Sequence, residues 1–315
     1  MRESEFKPIL DRDKHEGDVR QYFSKHIDLL VDLANYGSNL IPRVYDSSNK
    51  KLEDIVIIGV LLKQVVSMID AVEILVSKGA VDPANLQARA AFESSLYIDW
   101  ILMNQSEKKA KYYYISNLRN QRLWALRFKA GTTEREVFSK TFQYLERYLE
   151  ATDLENIEKQ AEEGLSKIDS LLTKNGWKEI SLEFERRKDK KTGAESYWYK
   201  MLGVASIRQL AEQVGRLGEY NLFYARSSEV VHATSYSDHI RFGKGTISFE
   251  PIRQLKDMHN LLRFITSVAI SSYVSVLKHY RRGELSHFAR KYMRDWRDAF
   301  LNIPAVSYTD QTNNP

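Results

Sequence analysis

The sequence predicts an all-α fold, a helical bundle with long core helices and a small β-hairpin insertion. Three observations carry that reading. Only 6 prolines and 14 glycines punctuate the 315 residues, and the intervals between them repeat apolar residues at helical period almost throughout. The segment from Leu52 to Ser77 is long and apolar enough to serve as a central core helix. Alternation with period two is confined to the stretch around Gly243-Lys244-Gly245, which reads as a short hairpin.

Residues 1–16 read as an N-terminal extension, 17–303 as a single extended helical domain, and 304–315 as a disordered tail. A first helix is expected over 18–35, then a polar loop through Ser47-Ser48-Asn49, then the apolar helix 52–77. Asp82-Pro83 pairs a capping residue with a proline at the first helical position, so a new helix starts there and reaches Met103. Helical period continues over 106–129, 133–150, 153–174 and 178–188. Lys188 to Ser196 is polar without apolar periodicity and reads as a loop, within a candidate insertion over 130–200. Helices follow over 206–217 and 219–234, then the hairpin at 239–249, a helix opened by Pro251 and running to Arg282, and a last helix over 284–300.

A hydrophobic content of 43% is ample for a core. The 47 basic against 42 acidic residues leave a net charge of +5, which permits an anionic partner without requiring one. The absence of cysteine excludes disulfides, thiol nucleophiles and thiolate metal sites. The N-terminus lacks the apolar core of a signal peptide. The longest unbroken apolar run, Ile55 to Leu62 counting Gly59, is far short of the roughly 20 residues that span a bilayer. A soluble, cytoplasmic protein without a membrane partner is expected.

The chemistry concentrates in Tyr220 to His232. Tyr224, Ser228 and His232 follow one another at intervals of four and share one face of an ideal helix. A helix that only filled a core would carry Leu or Val along that line, and one that only faced water would carry Lys and Glu. Glu229, three residues before His232, is close enough to orient its ring. A second polar stripe, Arg89, Glu93 and Tyr97, lies among Ala90, Ala91, Phe92 and Leu96. At that spacing Arg89 and Glu93 form either an ion pair facing water or half of a buried network whose partners the Tyr224 stripe supplies. Asp70 and Glu73 on the preceding helix are a third contribution to such a network.

Arg89-x-x-x-Glu93 followed far downstream by Tyr224-x-x-x-Ser228-x-x-x-His232 resembles the pattern of a mostly bacterial helical family catalogued as domain of unknown function 5677. The same segment resembles the signature of the HEPN ribonucleases, an arginine and a histidine separated by four to six residues, here Arg226-Ser-Ser-Glu-Val-Val-His232. That second resemblance implies a metal-independent endoribonuclease without cofactor, a toxin or anti-phage effector, whose motifs meet across a dimer. It implies His232 as acid/base, Arg226 or Arg89 as the cation on the phosphate, and Glu93, Tyr224 and Ser228 as orienting groups. Six residues turn an ideal helix by about 600°, so Arg226 falls about 120° from His232. The HEPN pattern commonly has Asn, Asp or His just after the arginine, where this chain has Ser227.

Residues 108–129 offer an independent reason to expect an RNA partner. They hold seven Lys or Arg and no acid, interleaved with Tyr112, Tyr113, Tyr114, Trp124 and Phe128, and such segments attract phosphates and stack unpaired bases. The same composition suits a solvated helix with core aromatics. A regulatory protein is a further candidate partner. His232, His239, Asp238 and Glu93 compose a weaker metal-site candidate. Ser228 lacks a nucleophile elbow, and no glycine-rich phosphate loop is present. The competing function is a non-catalytic helical interaction protein in which the polar stripes form a buried structural network.

Overall fold

The computed structural model describes residues 10, 12–141, 154–225, 239–243 and 246–306. They are predominantly helical. In chain order the helices are α1 (Arg12–Asp46), α2 (Ile57–Ser77, entered through a π-helical turn at Leu52–Val56), α3 (Val81–Met103), α4 (Ser106–Phe128), α5 (Thr133–Thr141), α6 (Leu154–Leu172), α7 (Lys178–Arg186), α8 (Trp198–Met201), α9 (Ile207–Gln213), α10 (Leu217–Glu219), α11 (Met258–Tyr280), α12 (Leu285–Lys291) and α13 (Arg297–Leu301). Strands β1 (Ile240–Gly243) and β2 (Thr246–Phe249) pair antiparallel, with Ile240 opposite Phe249 and Phe242 opposite Ile247. The chain forms two compact units, residues 1–104 with 207–315, and residues 105–206.

The first unit is built on α1, α2, α3 and α11. Along α1 the residues Val19, Phe23, His26, Leu30, Leu33, Gly37, Leu40 and Val44 are buried. Their spacing alternates between four and three, the repeat of a continuous helix–helix seam. That seam carries α1 past residue 35, where the sequence reading ended it, and through Pro42. Pro42 forfeits one backbone hydrogen bond, and the burial of Leu40 and Val44 on either side keeps the helix intact. Leu52–Ser77 and Met258–Tyr280 are long and apolar enough to cross a membrane, and 50% and 61% of their most apolar stretches are buried within the fold. These two helices supply much of the core that α1 and α3 pack against.

At Gly37 the seam closes tightly. The hydroxyl of Tyr273 on α11 donates to the Leu33 carbonyl of α1 over 2.8 Å, passing through the space that a side chain at Gly37 would fill. The adjoining Tyr36 ring meets Tyr273, Phe288 and Trp296 at centroid distances of 5.4–5.5 Å. Trp296 Nε1 donates to Asp32 over 2.6 Å, and Lys291 pairs with the same carboxylate at 2.7 Å. The C-terminal helices are thus fastened to α1 by an aromatic cluster with a charged edge.

Gly79, in the left-handed region at φ +70°, ends α2, with Gly79 N–H reaching the Val76 carbonyl and Ala80 N–H the Leu75 carbonyl. The segment from Pro251 also differs from the expected helix. Gln254 N–H donates to the Gly79 carbonyl over 3.0 Å and Arg253 donates to the Lys78 carbonyl, so this stretch caps the end of α2. Helix α11 begins only at Met258, after Asp257 at φ +61°. Of the expected tail, residues 307–315 lie outside the described residues, as do 142–150 of the helix expected over 133–150.

In the second unit, α4 packs on α6, α5, α7 and α8. Arg119 is its polar hub. Its guanidinium donates to Glu195 at 2.6–3.0 Å, to Glu185 at 2.6 Å, and to the Ser181 carbonyl and hydroxyl at 2.9 Å each. Tyr112 donates to Glu183 over 2.6 Å, and burial with that carboxylate pushes its hydroxyl up to about 12.

Replacing Gly37 with Ala places a methyl group inside contact distance of Tyr273 and Val66, and is expected to lower unfolding free energy by about 1–3 kcal/mol. Gly59 on α2 faces open space. Gly59→Ala is expected to be neutral or to stabilise by up to about 1 kcal/mol. Urea denaturation of the two variants measures the contrast.

Candidate functional site

Helix α3 carries two polar clusters on an otherwise apolar shaft. The first joins Arg89 and Glu93 to Tyr224. Tyr224 ends a π-helical turn, Tyr220–Tyr224, in which the Ala225 N–H reaches back five residues to the Tyr220 carbonyl. The Tyr224 ring is 6% exposed and stacks on Tyr220 at 5.1 Å. Its hydroxyl donates to Glu93 Oε2 over 3.0 Å and accepts from Arg89 Nη2 over 3.2 Å. The Arg89 guanidinium also lies over the ring, 4.3 Å from its centroid. Tyr97, one turn along α3, donates to Glu93 Oε1 over 2.7 Å. Burial, followed by the adjacent Glu93 charge, pushes the Tyr224 hydroxyl up to about 12, with Arg89 pulling the other way. Arg89 Nη1 is buried and has no hydrogen-bond partner among the described residues. The guanidinium is held in place by Tyr224.

The two sequence stripes thus meet at Arg89, Glu93 and Tyr224. Arg226, Ser228, Glu229, His232 and Asp238 lie outside the described residues. Asp70 is exposed on α2 and makes no described hydrogen bond or ion pair to the stripe on α3. Glu73 is half-buried, and burial with the nearby Asp70 charge raises its carboxyl above the usual range. His239 is exposed, and its carbonyl accepts from the Glu250 N–H. Among the described residues no group of three His, Asp or Glu side chains gathers with metal-binding geometry.

The second cluster centres on Arg216, which sequence reading passed over. Helix α9 stops because Gly215 takes φ +74°, with Arg216 N–H reaching the Ala211 carbonyl and Gly215 N–H the Glu212 carbonyl. This closure swings the Arg216 side chain inward, where only 9% of it is exposed. It donates to Ser95 at 2.5 Å, Asp99 at 2.9 Å and Glu219 at 2.5 Å, and lies 4.8 Å over the Phe92 ring. Ser275 donates to Asp99 over 2.6 Å, Ser267 to Glu219 over 3.2 Å, and Trp100 to Gln213 over 2.7 Å. A glycine directly before an arginine at the end of a short helical pattern was the available signal. The surrounding polar residues hid it.

The basic helix is largely occupied within its own unit. Besides Arg119, Arg122 pairs with Asp169 at 2.7 Å, Lys111 with Glu107 at 2.9 Å and Lys129 with Glu162 at 3.7 Å. Arg127 lies over Trp124, and Lys109 is buried, which brings its ammonium down to about 8. Tyr113 packs on Trp198 and Tyr114 on Trp177.

A family model described as a family of unknown function, DUF5677, matches residues 54–246. The chain belongs to this family. The matched stretch runs from the start of α2 through β1 and includes Arg89, Glu93, Asp99, Arg216 and Tyr224, whereas α1 and α11 fall outside it. No curated protein and no solved structure matches the chain.

Two outcomes follow from this geometry. The Tyr224 hydroxyl titrates higher folded than unfolded, so its contribution is intact below about pH 10 and is lost as pH rises from about 10 through 12. Tyr224→Phe is expected to cost about 1–3 kcal/mol at neutral pH and to flatten that alkaline loss, measured by denaturant unfolding across the range. Arg216→Met leaves Asp99 and Glu219 without their counter-ion and is expected to cost about 3–5 kcal/mol, read by the same method at pH 7.

Proposed function

We propose that the protein is a metal-independent endoribonuclease of HEPN-like type, a cytoplasmic toxin or anti-phage effector that works as a homodimer. The observation that carries this reading is Arg89, a guanidinium fixed by Tyr224 whose Nη1 has no partner among the described residues. It lies next to the residue from which the Arg226–His232 motif continues in sequence. In the proposed reaction His232 takes the proton of an RNA 2′-hydroxyl, whose oxygen bonds to the adjacent phosphorus as the bond to the 5′-oxygen breaks. The departing 5′-oxygen receives a proton, leaving a cyclic phosphate and a free 5′-hydroxyl. Arg89 or Arg226 offsets the charge on the phosphoryl oxygens. Glu93, Tyr224 and Ser228 orient these groups, with Tyr224 remaining protonated through neutral pH.

A second reading has its own observation. The Tyr224 hydroxyl is buried and already satisfied by Arg89 and Glu93, which suits a non-catalytic interaction protein whose polar residues specify the core. Incubating the purified protein with single-stranded RNA in EDTA separates the two. Cleavage by the wild type, reduced roughly 10²-fold or more in His232→Ala and Arg89→Ala with thermal stability retained in His232→Ala, is the expected result. Equal cleavage by wild type and His232→Ala sinks the ribonuclease assignment. A His232→Ala variant that melts markedly lower, from a wild type that cleaves nothing, establishes the structural network instead.

A further inference from the structure

On the first unit a cleft of about 610 Å³ opens between the last turn of α3, the α9 corner and the C-terminal half of α11. The cleft is broad and open to solvent. Its floor is the ion pair of Arg216 with Asp99, whose second oxygen accepts from Ser275. The floor is therefore polar, and because Arg216 is shared between Asp99 and Glu219 it has no positive charge to spare. Leu102, Met103 and Val274 give it an apolar wall. Gln213 accepts from Trp100 through Oε1, which fixes the amide and leaves its Nε2 as a donor at the rim.

The charge at the mouth is one-sided. Lys278 and Arg282 border the cleft with His279, both cations are exposed, and among the described residues neither forms a hydrogen bond or ion pair. Most other basic groups of this unit do engage a partner: Arg43 takes Glu284, Lys291 takes Asp32, Arg294 takes Asp295 and Arg216 takes Asp99. Ser271, Ser275 and Lys278 follow one another at intervals of four and three along α11, so one face of the helix lines the cleft, and Arg282 joins them from the turn that follows the end of the helix at Tyr280. Cations at a helix C-terminus also offset its dipole. That accounts for the sign of Lys278, but not for an apolar-walled cleft beside it.

We infer that this cleft binds a phosphate monoester carried on a compact planar or apolar body, a ligand of mononucleotide size. Lys278 and Arg282 match the two charges of the phosphate, the Gln213 amide and Ser271 hydroxyl donate to its oxygens or to polar edges of the body, and Leu102, Met103 and Val274 cover the rest. The floor couples the cleft to the remainder of the site, since Arg216 also grips Glu219, the residue before the Tyr220–Tyr224 turn.

Isothermal titration of the full chain with adenosine 5′-monophosphate, phenyl phosphate, inorganic phosphate and adenosine tests the inference. The expected result is saturable binding of both esters, with phosphate and adenosine weaker by roughly tenfold or more. The variant K278A/R282A changes two exposed side chains without a partner among the described residues, so it is expected to keep the wild-type melting temperature and to bind both esters roughly tenfold or more weakly. Failure of the wild type to bind either ester, phosphate binding as tightly as the esters, or an unchanged Kd in the double variant would each overturn it. None of these outcomes depends on RNA cleavage.

Discussion

Arg216 brings a permanent positive charge into the interior of the first unit, and the surrounding structure is arranged to hold it. Moving a guanidinium out of water is tolerable only when its donors find acceptors and its charge finds counter-charges. Ser95, Asp99 and Glu219 meet those demands, and the face of Phe92 covers the flat side of the ion. The consequences spread outward. Ser95 is fully buried and accepts from Ser272 on α11, so α3 and α11 meet through small residues at this level. Asp99 holds Ser275, and Glu219 holds Ser267. Three pieces of chain far apart in sequence are thereby locked in one register.

Charge in the second unit is arranged by a different logic. Its basic helix and its acidic helices are segregated along the sequence and recombined in space, as Arg119 and Arg122 take carboxylates supplied by residues 169–195. Arg119 spreads its donors over two carboxylates, a carbonyl and a hydroxyl, which leaves little of its charge to recruit an external anion. An excess of Lys and Arg read along a helix is therefore a poor measure of surface potential when the compensating acids lie 47 to 76 residues away.

Much of the fold was legible because apolar period and turn residues agree. Pro83 and the apolar run before it place α2 and α3 within a few residues, and the meeting of Arg89, Glu93 and Tyr224 follows from polar residues repeating every four positions on helices too apolar to face water. The failures have specific causes. The sequence reading ends the first helix at residue 35, yet α1 runs on through Pro42 because its buried seam continues, and α11 starts well after Pro251 because Arg253 and Gln254 are engaged in closing α2. Arg216 was hard to read because its burial depends not only on the nearby Glu219 but on Ser95 and Asp99 of α3, which no local window contains. Periodicity also assumed a uniform 100° per residue across Tyr220–Tyr224, where the backbone takes a wider turn.

That wider turn has an evolutionary corollary. A π-helical turn holds one more residue than the α-helical turn it replaces, and within this one Phe223 stacks on Phe264 at 4.4 Å while Tyr224 reaches Arg89 and Glu93. Losing a single residue here would relax the backbone to ordinary helix and rotate one ring away from its partner. The segment is constrained in length as well as in composition, so insertions and deletions should be purged from it more strictly than conservative exchanges of side chain.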